Sequence, residues 1–207
     1  MSKILLTGGS GLLGQELQKY IKCDAPSHRE LDITKPIEQI DDYDLIIHAA
    51  AYTDVARAEK KGALDCWKVN AMGTINLLET YSHTPFVYIS SEYAKNPINW
   101  YSYTKLAGEL AVRTLSKRHL IIRTLFKPRP YLYKQAFTDQ YTLGDYVDVI
   151  APLIVDDIEK WNVKGKKRIY VGTGRKTIYD LAKRSRPDVK PISADDIKEV
   201  RLPKDYV

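Results

Sequence analysis

Cysteine is scarce in this chain of 207 residues: Cys23 and Cys66 are the only two, and neither sits in a CxxC or a Cys/His ligand spacing. Neither a disulfide framework nor a metal site is expected, and a reducing compartment keeps both as thiols. Long hydrophobic runs are lacking as well. The longest uncharged apolar stretches, 45–51 and 85–89, are strand-sized and far short of a bilayer crossing. Met1-Ser2-Lys3 leads straight into Ile4-Leu5-Leu6-Thr7-Gly8 without the charged-then-apolar pattern of an export signal, so a cytoplasmic protein with no membrane partner is expected. Only 10 prolines and 11 glycines occur, too few for a collagen-like or low-complexity chain. With 44% hydrophobic and 28% charged residues, the composition is globular, and the length suits one main core with at most a small appendage.

Charge is unevenly placed within the net +6. Up to Val112 there are 11 Lys and Arg against 14 Asp and Glu, and from Arg113 onward 21 against 12. The basic half suits a polyanion such as a nucleotide diphosphate. It carries no recognisable nucleic-acid-binding motif, and nucleic acid is not expected as a partner. The run at 164–168 reads as a solvated turn.

Apolar runs at 3–7, 44–51, 85–90 and 119–124 read as strands buried on both faces. Between them, 59–82 and 101–115 have helical spacing, as do Leu12, Leu13, Leu17 and Ile21. This alternation predicts an α/β fold, a doubly wound parallel sheet of Rossmann type covered by helices. Beyond Thr124, Lys127-Pro128-Arg129-Pro130 forbids a regular helix and opens a new segment. A helix over 144–158, a strand over 168–172 and a short helix over 177–183 follow. The expected division is a nucleotide-binding domain over 1–125, a substrate-binding segment over 126–143, a return to the first domain over 144–172, and a small, shortened C-terminal substrate-binding region over 173–207.

Thr7-Gly8-Gly9-Ser10-Gly11-Leu12-Leu13-Gly14 places glycines three apart after a strand and at the opening of a helix. Such a turn brings backbone close to a pyrophosphate, and its last glycine permits tight helix-on-strand packing. A dinucleotide is the expected ligand, with contacts from Gly8, Ser10, Gly11, Leu12, Leu13 and Gly14. The residue at the end of the second strand selects between NAD and NADP. The register from Leu31-Asp32-Ile33-Thr34 puts Ser27 there, so that Ser27, His28 and Arg29 hold a 2′-phosphate and NADP is preferred. In the competing register Asp24 is the ribose-binding acid, Arg29 is a surface residue, and NAD is possible.

Four further tracts follow in order: His48-Ala49-Ala50-Ala51-Tyr52-Thr53-Asp54-Val55, Val69-Asn70-Ala71-Met72-Gly73, Tyr88-Ile89-Ser90-Ser91-Glu92-Tyr93, and Tyr101-Ser102-Tyr103-Thr104-Lys105-Leu106-Ala107-Gly108-Glu109. With the glycine turn, they make the chain resemble the extended short-chain dehydrogenase/reductases, and within them the dTDP-4-dehydrorhamnose reductase group. The resemblance is strong over 3–124 and fainter over 145–150 and 169–174. It implies NADPH-dependent reduction of a nucleotide-activated 4-keto-6-deoxy sugar and cofactor contacts at Asp32, Ile33, Ala49, Ala50, Ala51, Asn70, Tyr101 and Lys105. It also places Tyr52 and Thr53 beside the nicotinamide and assigns Asn70 to a helix kink and a water relay. His48 reads as a packing residue at a strand end.

Ketone reduction requires a proton at the carbonyl oxygen, and a tyrosine with an ordinary pKa near 10 is a poor acid-base group at neutral pH. Lys105, four residues after Tyr101 on one helix face, is expected to lower that pKa, and Ser91 to hold the oxygen. Ser91, Tyr101 and Lys105 are therefore the catalytic candidates. Thr53, Ser91, Glu92, Lys127 and Arg129 are the substrate candidates, with Lys134 and Arg175 as further cations. Only ten positions separate Ser91 from Tyr101, shorter than in the resembled group, and Leu125-Phe126-Lys127-Pro128 replaces its Trp-Val-Tyr-Gly. An epimerase or dehydratase, or a non-catalytic cofactor-binding subunit, are the competing readings. A homodimer is compatible with all of them.

Overall fold

The computed structural model describes residues 3–205. Five strands form one parallel sheet: β1 (Ile4–Thr7), β2 (Leu45–His48), β3 (Phe86–Ser91), β4 (His119–Thr124) and, numbered by chain order, β9 (Lys166–Tyr170), lying in that spatial order. Successive side chains of a strand face opposite ways, so each strand feeds two cores. Leu6, Ile47, Val87, Ile89 and Ile122 face α1 (Leu12–Leu17) and α6 (Val147–Trp161). Leu5, Ile46, Phe86, Tyr88 and Ile121 face α4 (Gly73–Thr80) and α5 (Trp100–Leu115). The doubly wound α/β expectation holds, and no helix among the described residues is long and apolar enough to cross a membrane.

Three elements differ from expectation. The second strand of the sequence reading shrinks to one bridge, in which Asp24 pairs with Leu5 on the outer side of β1; Pro26, which has no N–H to donate, follows two residues later. The helix expected over 59–82 is divided into α3 (Ala63–Trp67) and α4 by a π-helical turn at Lys68–Met72 with Asn70 at its centre; α2 (Val55–Ala58) precedes them. The run expected as a solvated turn instead opens β9, where the exposed Lys166, Lys167 and Arg168 occupy the sheet's edge. Charge at an edge discourages pairing with another chain.

A smaller lobe is built from β5 (Phe126–Lys127), β6 (Gln135–Phe137), β7 (Tyr141–Thr142), β8 (Asp145–Tyr146), β10 (Lys176–Thr177), α7 (Ile178–Lys183) and β11 (Lys190–Ile192). These strands pair two by two, β5 with β8, β6 with β11 and β7 with β10. Tyr131, Tyr146, Ile178, Leu181 and Val189 form the lobe's own core.

Candidate active site

β1 has the Asp24 segment on one side and β2 on the other, so the winding direction reverses there. Open α/β sheets form a crevice at such a point, beyond the carboxyl ends of the strands. Here the crevice is a cleft of about 630 Å³ that runs from Gly8 and His28 past Ser91, Tyr101 and Lys105 to Lys127 and Tyr133.

Gly8, Ser10, Gly11, Leu12, Leu13 and Gly14 all line its first end. Gly8 has φ +75°, a conformation costly for residues with a Cβ, and a Cβ there would lie 2.5 Å from the Ala50 amide nitrogen. At Gly14 it would lie 2.1 Å from the Gly8 carbonyl oxygen, so both glycines serve the packing of β1, α1 and the 49–51 loop. Gly11 is different. A Cβ there meets only that same oxygen, at 3.2 Å, and otherwise projects into open space at the cleft. Its lack of a side chain leaves room for a ligand rather than for the protein, and the turn fits a dinucleotide pyrophosphate.

The next segment is divided. His28 and Ile33 line the cleft with Pro26, Leu31 and Thr34, whereas Ser27, Arg29 and Asp32 do not. The Ser27 amide donates to Glu30 Oε2 at 2.8 Å. Asp32 accepts from Thr34 Oγ1 at 2.7 Å and pairs with Lys35 at 3.1 Å; the Thr34 bond is the leading cause that holds its carboxyl down to about 2. Asp24 interacts with Tyr43 and lies outside the cleft lining, as does every other carboxylate among the described residues.

Ala49, Ala50, Ala51, Tyr52 and Thr53 line the cleft's floor. Asn70 lies behind them and not in the lining: its Oδ1 accepts from the Tyr52 amide at 2.8 Å, and its Nδ2 donates to the Tyr52 carbonyl at 3.2 Å and Thr104 Oγ1 at 3.0 Å. Its role in this structure is to clip the 52–53 loop to α5. His48 is buried with both ring nitrogens engaged, by Thr7 Oγ1 at 2.6 Å and Thr74 Oγ1 at 3.0 Å, and burial keeps it neutral with a pKa of about 3.

Ser91 ends β3, and α5 begins nine residues later under a capping box in which Asn99 and Ser102 satisfy each other's amides. That start aims Tyr101 at the strand end, where its phenol meets the Ser91 hydroxyl and its ring stands edge-on to Tyr93 at 6.0 Å. Lys105 is 2% exposed; its Nζ donates to the Ile89 carbonyl at 2.8 Å and lies 4.4 Å from the centre of the Tyr88 ring. The expected pKa relation is overturned here. Burial pushes Tyr101 up to about 12 and outweighs the Ser91 bond, with no contribution from Lys105. Burial likewise lowers Lys105 to about 7. The spacing of four puts both on one helix face, but desolvation outweighs the attraction because the ammonium is turned toward Ile89.

This has a measurable consequence. The Lys105 amine is protonated below about pH 10.5 in the unfolded chain and below about 7 in the folded one, so across that window the unfolded chain binds the additional proton and stability rises with pH. Between about pH 7 and 9, below the tyrosines' range, urea unfolding should show this gain, on the order of 1–3 kcal/mol. Lys105→Met should flatten it, and an unchanged pH profile in that variant would show that the amine is solvated.

Of the substrate candidates, Thr53, Ser91 and Lys127 line the cleft. Glu92 does not: its carboxylate is fully buried, accepting from Thr142 Oγ1 at 2.5 Å and the Leu143 amide at 3.1 Å, and burial raises its pKa. It ties the smaller lobe to the residue after Ser91. Arg129 pairs with Asp148 at 3.0 Å over the Tyr146 ring, Arg175 pairs with Asp205 at 2.8 Å, and neither they nor Lys134 line the cleft. Sequence reasoning missed Phe126 and Tyr133 as lining residues. Both lie in a stretch without periodicity, and only their aromatic character was visible.

The family model described as RmlD substrate binding domain matches residues 2–127. A dTDP-4-dehydrorhamnose reductase of Aggregatibacter actinomycetemcomitans is 30% identical over 151 residues, 60% of this chain and 51% of that protein. The spore coat polysaccharide biosynthesis protein SpsK of Bacillus subtilis is 29% identical over 153 residues, 60% and 53% of the respective chains. The chain thus spans about half the length of the curated relatives it matches. Among solved structures, a dTDP-4-dehydrorhamnose reductase of Clostridium acetobutylicum superposes with a TM-score of 0.81 at 25% identity, covering 98% of this chain and 88% of that one. One from Bacillus anthracis, in complex with NADP, superposes with a TM-score of 0.80 at 24% identity and the same coverages.

Proposed function

Because the chain belongs to the RmlD substrate binding domain family, we propose that it is an NADP-dependent reductase of a nucleotide-activated 4-keto-6-deoxy sugar, working in the cytoplasm. The observation that carries this reading is the convergence of Ser91, Tyr101 and Lys105 midway along one cleft, between a glycine turn with room for a pyrophosphate and a lobe that presents Lys127. NADPH, when bound, supplies the hydride. The chain supplies the rest. Ser91 holds the ketone oxygen while negative charge develops on it, and Tyr101 delivers the proton to that oxygen. A donor must begin protonated, and burial keeps the phenol so at neutral pH. Lys105, beside the same strand end, holds the cofactor's ribose, and the Ser91 hydroxyl is the neighbour that steadies the phenolate left by proton transfer.

NADP is favoured over NAD because no carboxylate among the described residues lines the cleft to repel a 2′-phosphate, while His28 faces it. Epimerase or dehydratase chemistry that relies on a carboxylate after Ser91 is disfavoured by the burial of Glu92.

A spectrophotometric screen of NADPH oxidation against nucleotide 4-keto sugars tests the reading. Consumption with at least one of them is expected, and none with any would reject it. Gly11→Val fills the open space at the turn and should weaken NADPH binding at least about 100-fold in calorimetry, with an unchanged circular dichroism spectrum. Undiminished binding by that folded variant would place the cofactor elsewhere.

A further inference from the structure

Tyr101 is the second residue of α5, so whatever fixes the start of that helix also fixes the phenol. Trp100 is held from one side, its amide donating to Glu59 Oε1 and its indole nitrogen to the Ala63 carbonyl at 2.6 Å. Asn99 is held from the other. Its Oδ1 accepts from the Ser102 amide at 2.9 Å as the helix cap, and its Nδ2 donates to the Arg201 carbonyl at 2.9 Å, 102 positions along the chain. Serine or aspartate caps a helix about as well as asparagine, but only a side-chain amide accepts for the cap and donates at the same time. Asn99 is buried, so water does not replace a lost partner there.

Segment 200–205 is in turn fastened to the small lobe. Val200 and Pro203 are buried, and the Pro203 carbonyl accepts from the Gln140 side chain at 3.1 Å. The Tyr141 amide donates to the Lys204 carbonyl at 2.7 Å, and Lys204 pairs with Asp139 at 3.2 Å and Asp195 at 2.6 Å. Asp205 pairs with Arg175, whose guanidinium lies 3.8 Å from the centre of the Tyr141 ring. One end of the segment thus belongs to the lobe, while its other end meets the cap beside Tyr101.

We propose that segment 200–205 is a positioning strap, and Asn99 a positioning residue, through which the small lobe holds Tyr101 in place against Ser91. This rests on the reductase reading above. Neither Asn99 nor the strap lines the cleft, so both act through the start of α5 and not on the ketone. Proton delivery tolerates little displacement of the donor: a shift of about 1 Å caused by a distant substitution costs up to about 100-fold in rate.

Steady-state kinetics on a nucleotide 4-keto sugar that the parent reduces tests the strap in Asn99→Ser, Gln140→Leu and the double variant. Asn99→Ser keeps a capping oxygen and loses the donor to Arg201, and Gln140→Leu loses the bond to Pro203 outside the cleft. Each should lower kcat about 10- to 100-fold with KM within about threefold of the parent, and leave NADPH affinity and the circular dichroism spectrum unchanged. The double variant should fall no further than the slower single one, because both changes cut the same strap. Amide hydrogen exchange reads the strap without any substrate: in Gln140→Leu the Ser102 and Tyr103 amides should exchange at least about threefold faster. An unchanged kcat, a rise in KM alone, losses that multiply in the double variant, or unaltered exchange at those amides would overturn the strap. A parent that reduces no such sugar would instead strike the reductase reading, and the exchange measurement would still decide the strap.

Discussion

Tyr101→Phe is expected to lower turnover by about two to four orders of magnitude, the usual worth of a positioned acid, while NADPH affinity changes by less than about twofold. The substitution removes one oxygen and keeps the ring, so the edge-on contact with Tyr93 and the start of α5 survive. What is lost is the proton next to Ser91. The effect should fall on kcat and leave KM nearly unchanged, because the hydroxyl's contribution grows only as charge develops on the ketone oxygen. Steady-state kinetics on a confirmed sugar substrate, with calorimetry for NADPH, checks both parts. Near-parental turnover would remove Tyr101 from the chemistry and direct attention to Tyr93, which lines the same cleft.

The largest expected effect on stability lies beneath the site. Glu109 on α5 is fully buried and accepts two bonds from Arg123 of β4, at 2.7 and 2.8 Å, and a third from Ser90 Oγ at 2.5 Å. Arg123 also donates to the Tyr170 hydroxyl at 2.9 Å and the Ala94 carbonyl at 3.2 Å, so one guanidinium joins β4 to β9 and to the turn after Ser91. Arg123→Met leaves the Glu109 carboxylate buried without its two guanidinium bonds, with the more exposed Arg168 at 3.6 Å and the Ser90 hydroxyl as its remaining neighbours. A loss of about 3–5 kcal/mol is expected in urea unfolding, as for other broken buried pairs. Glu109→Leu combined with Arg123→Met should recover much of that loss, because no lone charge remains in the interior. A single variant as stable as the parent would mean that water reaches Glu109.

Much of this architecture could be read in advance wherever one local rule acted alone. β4 at His119–Thr124 lies where its continuous apolar run put it, since a strand buried on both faces shows itself as an unbroken run. The glycine turn and the three central side chains were legible because their spacing is fixed by a strand end and a helix face. Reading failed where tertiary contacts decided. Nothing local shows that the segment at Asp24 would keep only one bridge, or that Asn70 would clip the Tyr52 loop through a π-helical turn. Tyr101 and Lys105 have the expected spacing, yet their pKa values follow burial, which no spacing reveals. Glu92 read as a cleft residue because it follows Ser91, but successive residues at a strand end point apart, and its carboxylate turns to Thr142. The small lobe was the least legible part, since its paired strands of two or three residues have no period to detect.

Transfer of deuterium to a nucleotide 4-keto-6-deoxy sugar from NADPH dideuterated at nicotinamide C4 decides whether the chain reduces the ketone. The expected product is one mass unit heavier, labelled at the sugar's C4, formed in equal amount with NADP+ by the parent protein, and formed about two to four orders of magnitude more slowly by Tyr101→Phe. An unlabelled product, or a sugar epimerised or dehydrated with no net consumption of NADPH, would contradict it.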